Sequence, residues 1–253
     1  MIDLSGKHVL VVGGSRGIGA ETARKAARAG AAVSLTYRNR GDAADALVAE
    51  IAAEGGQALA LQCDVTDEMG VTRAVNEAVG QLGPLHGLVV SAGIFELKPI
   101  QEMTLDFWRR TIDTNLTGTF LAVKAALPHL RNNDGSGGSI VIYTSTAGQS
   151  GSGGASAYSV SKGGQIMFMR SMAQELAPDR IRVNCIAPAW TDTDMAAPHV
   201  AEMGRETMAG RFPLGRIGES ADVANAACFL LSDLAEFITG TTMTVDGGMA
   251  MRG

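Results

Sequence analysis

Cysteine is scarce: Cys63, Cys185 and Cys228 are the only three in 253 residues, and none stands in a Cys-x-x-Cys spacing. A disulfide framework and thiolate metal knots are thereby excluded, and buried thiols in a reducing compartment are expected. The four histidines, His8, His86, His129 and His199, form no ligand spacing, so no metal site is expected. A basic excess is also missing. Lys and Arg number 21 against 26 for Asp and Glu, giving a net charge of −5. Nothing in that balance gathers phosphate backbones or anionic lipid, so neither nucleic acid nor a membrane surface is an expected partner. No apolar run reaches the roughly 18 residues of a membrane span. The N-terminus carries Asp3 and no basic stretch before its apolar run, so a cytoplasmic location is expected. No Pro-rich linker, charge block or repeat divides the chain, and residues 1–253 read as a single domain whose 46% hydrophobic content supports a sizeable core.

What the chain does have is alternation. Short β-rich runs at 8–12, 32–37, 58–63, 85–90, 139–144, 181–187 and 242–245 are separated by Ala-, Glu- and Arg-rich helical stretches that close on glycine. The runs are continuously apolar, as strands are when helices cover both faces of a parallel sheet. The expected fold is α/β: a Rossmann-type, doubly wound parallel sheet of about seven strands with helices on both faces. The Gly/Ser segments 134–138 and 148–154 bracket the fifth strand and read as tight approach loops rather than linkers.

The first strand ends in "GGSRGIG", with Gly13, Ser15, Arg16, Gly17, Ile18 and Gly19, where a helix begins. Glycine there lets the backbone approach a ligand, and the helix N-terminus favours a pyrophosphate. The spacing Gly13-x-x-x-Gly17-x-Gly19 differs from the commoner dinucleotide fingerprint, so its place after the first strand carries the reading. At the end of the second strand, where an NAD enzyme of this fold places an acid on the ribose 2′-hydroxyl, the chain has "TYRNR". Tyr37 takes the acid's place, Arg38 follows, Asn39 and Arg40 add donors, and Arg16 reaches from the glycine turn. Guanidinium groups match phosphate oxygens, so NADP rather than NAD is the expected cofactor.

Tyr158 and Lys162 are four residues apart in "AYSVSK", hence neighbours on one helix face. An incidental solvated pair is the plain alternative. A phenol with pKa ~10 must drop by ~3 units, or ~4 kcal/mol, to exchange protons readily near neutral pH. A unit charge at ~4 Å and an effective dielectric of ~20 supplies ~4 kcal/mol. Lys162 is therefore expected to lower the Tyr158 pKa.

"GGSRGIG", "SAG" (91–93), "NLTG" (115–118), "STAG" from Ser145, "YSVSK" from Tyr158, "IAPAWTDT" (186–193) and "VDGG" (245–248) occur in one order along the chain. In that order and spacing the sequence resembles the short-chain dehydrogenase/reductase family over essentially its whole length, closest in look to the 3-oxoacyl-[acyl-carrier-protein] reductase branch. The resemblance implies a catalytic set of Asn115, Ser145, Tyr158 and Lys162. Tyr158 would exchange the proton, Lys162 would tune it and bond the nicotinamide ribose, Ser145 would hold the substrate carbonyl, and Asn115 would hold a relay water. Pro188, Thr191 and Thr193 would cradle the nicotinamide, with Asp64, Val65, Ser91, Ala92 and Gly93 among the other cofactor contacts. Three departures stand out: Val12 where the family has Thr, Val90-Ser91 where it has Asn-Asn, and Ala189 where it has Gly.

The function implied is NADP(H)-dependent interconversion of a ketone or aldehyde with an alcohol. Gln174 and Asp179 stand where docking of an acidic carrier protein would want cations, and the approach to the fifth strand reads "RNNDGSGG", which favours a free small or medium carbonyl compound. Carrier-protein reductase and, in a different class, a non-catalytic NADP-binding redox sensor are the alternatives. Residues 192–215 are expected to form a lid, with Met195, Met203 and Met208 either lining the pocket or packing a small helix. The apolar "IMFM" (166–169) points around the whole helix, which one sheet cannot bury. A homotetramer through this helix and the one bearing Asn115 is the expected assembly.

Overall fold

The computed structural model describes residues 2–251 apart from Asn132, Asp134 and Ser136, so the expected approach loop at 134–138 lies partly outside the described residues. The strands are β1 (His8–Val12), β2 (Ala32–Tyr37), β3 (Gln57–Gln62), β4 (Gly87–Val90), β5 (Gly138–Tyr143), β6 (Ile181–Pro188), β7 (Thr191–Asp192), β8 (Gly218–Glu219) and β9 (Thr242–Val245). Between them run α1 (Gly17–Arg28), α2 (Gly41–Ala53), α3 (Glu68–Leu82), α4 (Leu105–Ile112), α5 (Gly118–Arg131), α6 (Thr146–Ser150), α7 (Ser156–Glu175), α8 (Ala197–Met203), α9 (Arg205–Ala209) and α10 (Ser220–Leu231). Each of the seven expected strands is present, its ends offset by at most two residues.

Seven strands pair in the order β3-β2-β1-β4-β5-β6-β9, all parallel, while β7 and β8 form a separate two-stranded ribbon. The chain leaves β1 toward one edge and returns beside it as β4. At that reversal the loops after β1 and β4 part, which opens a crevice beyond the carboxyl ends of the strands.

Successive strand residues feed opposite layers. Leu10, Val12, Leu88, Val90, Ile140 and Ile142 pack with Val71, Val75, Leu121, Leu130 and Met169 of α3, α5 and α7. Val9, Val11, Val89 and Val141 pack with Ala23, Leu47, Ile51, Val223 and Leu230 of α1, α2 and α10. Small Ala20, Ala23 and Ala26 let α1 lie close to the sheet. The acid at the α3 start is a cap: the Asp67 side chain accepts from the Met69 amide.

The weak helix sequence "DTNLT" forms a π turn, Asp113–Thr117, between α4 and α5. Such a turn widens the backbone ladder and marks functional positions in many helices. On α7, Ile166 and Met169 face the sheet, whereas Met167 is 52% exposed. Phe168 meets Phe120 of α5 edge-on at 6.4 Å between ring centroids. The helix therefore carries apolar surface that this chain's own sheet does not cover.

Candidate active site

The glycine turn after β1 is held from three sides. Gly13 has φ +82°, and a Cβ added there would lie 2.6 Å from the Ala92 nitrogen. Its amide donates to the Thr36 hydroxyl on β2 at 3.1 Å, and the Gly14 amide donates to the Thr36 carbonyl at 2.9 Å. The Val12 carbonyl accepts from Ser91 and Ala92 at 2.8 and 2.9 Å. Thr36 thus supplies a side-chain bond to the turn that Val12 cannot. Gly19 is not on the cavity wall, contrary to its expected place as a cofactor contact. A Cβ there would sit 2.3 Å from the Gly13 carbonyl, so its glycine lets α1 seat on the turn.

Arg16, at the start of α1, makes no side-chain cap. The first amides of the helix therefore keep donors for an anion in front of them. Gly13, Ser15, Arg16, Gly17 and Ile18 all line a cavity of about 590 Å³. An uncapped helix start behind a glycine turn fits a dinucleotide pyrophosphate.

Tyr37, Arg38, Asn39 and Arg40 line the same cavity beyond the turn, with Asp64 and Val65 opposite. Arg38 lies 3.9 Å from the Asp64 carboxylate and Arg16 lies 3.9 Å from Asp194, all well exposed. Contacts that long and wet are weak, so both guanidinium groups keep donors to offer. Asp64 is held by Thr66, whose amide and hydroxyl donate to it at 2.9 and 2.7 Å. The amide bond is the larger influence holding the Asp64 carboxyl below its ordinary pKa. Arg40 differs from expectation. Its guanidinium is bidentate to Asp42 at 2.9 Å for both bonds, so it is largely spent within its own turn.

At the other end of the cavity Ser145, Tyr158 and Lys162 come together. Ser145 opens α6, its hydroxyl accepting from the Ala147 amide at 3.1 Å. Lys162 is almost wholly buried, and its ammonium donates to the Tyr143 carbonyl at 2.7 Å. The Thr144 hydroxyl donates to the Lys162 carbonyl at 2.7 Å, tying β5 to α7 at this point.

The expected drop in the Tyr158 pKa is not found. Burial pushes the phenol up to about 12, and a hydrogen bond with Ser145 offsets only part of that. Burial likewise lowers Lys162 to about 8. The ammonium sits 5.7 Å from the Tyr158 ring centroid and is turned to the Tyr143 carbonyl. Desolvation outweighs attraction, and the neutral phenol is the stable form.

Asn115 also departs from expectation. It is fully buried behind Gly93 rather than on the cavity wall. Its Oδ1 accepts from the Ile94 amide at 2.8 Å, while its Nδ2 donates to the Ile94 carbonyl and the Ser161 hydroxyl at 3.0 and 3.1 Å. Its main-chain carbonyl accepts from Thr119 and Gln165 at 2.6 and 2.8 Å. Those bonds make Asn115 a clamp between the β4 loop and α7.

Sequence reasoning missed the aromatic wall. Phe95 meets Tyr158 edge-on at 4.8 Å, Trp190 at 5.6 Å and His199 of α8 at 5.2 Å between ring centroids. Its signal was present but thin: Phe95 follows "SAG" and Trp190 follows Pro188-Ala189. Met249, Ala250 and Met251 line the cavity too, their turn held by the Asp246 carboxylate, which accepts from the Gly248 and Ala250 amides at 2.9 and 2.7 Å. Pro188, Thr191 and Thr193 lie on the wall as expected. In the segment expected to form a lid the methionines divide: Met195 lines the cavity, whereas Met203 and Met208 pack around Val200, Phe212 and Ile217.

A crevice at the sheet's switch point, lined by the glycine turn and by Ser145, Tyr158 and Lys162, is an arrangement that suits an oxidoreductase using a nicotinamide cofactor. Residues 12–250 match the family model described as enoyl-(acyl carrier protein) reductase. The chain is 38% identical to the 3-oxoacyl-[acyl-carrier-protein] reductase FabG of Staphylococcus aureus, over 97% of this chain and 98% of that protein. It is 40% identical to the cis-4-hydroxycyclohexanecarboxylate dehydrogenase of Sinomonas cyclohexanicum, over 94% of each. The crystal structure of a dehydrogenase/reductase from Sinorhizobium meliloti superposes with a TM-score of 0.91 at 38% identity, covering 99% of this chain and 97% of that one. The chain belongs to the short-chain dehydrogenase/reductase family and is an oxidoreductase of that family.

Proposed function

We propose that the protein reduces a free ketone or aldehyde to the alcohol with NADPH, or runs the reverse reaction with NADP. The observation that carries this is one continuous cavity with Arg16 and Arg38 at one end and Ser145, Tyr158 and Lys162 at the other. The nicotinamide, when bound, supplies or accepts the hydride. The chain's residues handle the rest. Tyr158, neutral in this setting, gives its phenolic proton to the carbonyl oxygen while the Ser145 hydroxyl donates a hydrogen bond to the same atom. Lys162 spends one donor on the Tyr143 carbonyl and has two left for ribose hydroxyls. Its charge stabilises the phenolate that proton transfer leaves. Pro188, Thr191 and Thr193 form the wall for the nicotinamide. Asn115 keeps the β4 loop and α7 in register, and so acts as a positioning residue.

A free substrate is favoured over a carrier-bound one. The surface at the end of α7 offers Gln174 and, just beyond the helix, Asp179, which is already paired with Arg131 at 2.7 Å. The reading as a carrier-protein reductase keeps support from the names of several relatives. A non-catalytic redox sensor is disfavoured because cofactor binding alone does not require the hydrogen-bonded Ser145 and Tyr158 on the cavity wall. Following NADPH oxidation with free ketones and with a 3-oxoacyl carrier-protein thioester separates the three. Turnover of free ketones is expected, turnover of the thioester alone would shift the reading to the carrier-protein reaction, and tight cofactor binding with no turnover would favour the sensor.

The exposed Phe120 and Met167 faces of α5 and α7 support a homotetramer. Light scattering at micromolar concentration should give four times the chain mass, and a monomer there would refute it. The three buried free thiols suit a reducing cytoplasm.

A further inference from the structure

Around Tyr158 the cavity wall changes character. Only 5% of the chain is aromatic, yet Phe95 contacts Tyr158, Trp190 and His199 at ring-centroid distances of 4.8, 5.6 and 5.2 Å. Trp190 and His199 close the set at 5.4 Å. Phe95 and Trp190 are only half-buried and both line the cavity, so each still presents part of its ring to whatever occupies it. Charge is confined elsewhere. Arg16 and Asp194 are paired beside the glycine turn, Arg38 and Asp64 beside the end of β2, and Arg40 is spent on Asp42. Among the described residues, Lys162 is the one charged side chain left on the wall near the phenol.

We infer that the substrate is a neutral aryl ketone, or the matching secondary alcohol, whose ring lies against Phe95 and Trp190 while its carbonyl oxygen meets Ser145 and Tyr158. The inference rests on the carbonyl-reductase reading above. A flat ring gains edge-to-face attraction from such neighbours in addition to apolar contact, which an alkyl chain does not. A carboxylate on the ring, held away from Lys162 by the placing of the carbonyl at Tyr158, would lie against Phe95 and Trp190 and lose its hydration. In the reaction the carbonyl carbon takes a hydride from NADPH and the oxygen takes the Tyr158 proton, so the ketone is reduced and NADPH oxidised.

Acetophenone, octan-2-one of the same carbon count, and 4-acetylbenzoate make the test. With NADPH, kcat/KM for acetophenone should exceed each of the others by at least about tenfold, or ~1.4 kcal/mol. Trp190→Leu should cut the acetophenone-to-octanone ratio at least about fivefold. A second measurement does not need turnover. Trp108 and Trp190 are the two tryptophans, so Trp108→Phe leaves Trp190 as the sole indole reporter. Acetophenone should quench its fluorescence saturably, and adding Phe95→Leu should weaken that binding by at least about threefold. Turnover of octan-2-one at or above the acetophenone rate, or quenching that never saturates, overturns the inference and leaves the reductase reading standing. No turnover of any ketone overturns the reductase reading and this inference with it.

Discussion

Tyr158→Phe should lower kcat for carbonyl reduction by about 10²–10⁴-fold, the usual worth of a positioned acid, while NADPH affinity stays within about threefold. In the proposed reaction the phenol beside Ser145 is the proton donor, and phenylalanine keeps the ring that packs on Phe95 while deleting the donor. An interaction made only in the transition state shows in kcat and not in cofactor binding. The pH profile should change with it. Reduction requires Tyr158 protonated, and the phenolate it leaves is stabilised by cationic Lys162. With the phenol held up to about 12 and Lys162 lowered to about 8, both are protonated below about pH 8. Reduction should therefore be level up to that point and fall above it, while alcohol oxidation, which needs the phenolate, should rise with pH. The residual rate of Tyr158→Phe should lose this dependence. Retention of more than about a tenth of wild-type kcat would remove Tyr158 from the role assigned to it.

Arg38→Asp should shift the ratio of kcat/KM for NADPH over NADH by at least about tenfold toward NADH, equivalent to ~1.4 kcal/mol. The substitution places a carboxylate directly after Tyr37, the position where NAD enzymes of this fold carry their acid, and sets it against a 2′-phosphate. Arg38 is available for that phosphate because its contact with Asp64 is long and more than half of its side chain is in solvent. Arg40 cannot substitute for it while Asp42 holds both sides of its guanidinium fork. If the ratio stays within about threefold, Arg38 does not read the phosphate. A wild-type preference for NADH would overturn the assignment of NADP altogether.

The parts of the site that sequence could reach are those set by local chain geometry. Gly13 and Gly17 mark a turn because few other residues adopt it, and Tyr158 and Lys162 share a helix face because of their spacing. The sheet was legible for the same reason: β1, β4, β5 and β6 are apolar runs with few alternatives. What sequence could not supply depends on contacts between distant segments. Whether burial or Lys162 governs the Tyr158 proton is decided by how deeply α7 sits, which no spacing reveals. Asn115 gives no hint in its own neighbourhood that Ile94, Ser161 and Gln165 will occupy its polar atoms. Thr36 looks like an ordinary strand residue until the glycine turn folds over it. Phe95, Trp190 and His199 lie in three separate loops or helices and form a wall only because the segment after β6 packs against the β4 loop.

The Asn115 clamp sets the size of the piece that can be exchanged between relatives. Its amide grips the backbone of Ile94 with one hand and the α7 hydroxyl of Ser161 with the other, while Gln165 holds its carbonyl. Phe95, next to Ile94, therefore moves with the helix that carries Tyr158. A chimera that transplants only the loop bearing Phe95 would graft a new substrate wall onto foreign anchors. The transferable block is discontinuous: residues 93–95, the π turn at 113–117 and the first turns of α7 have to travel together.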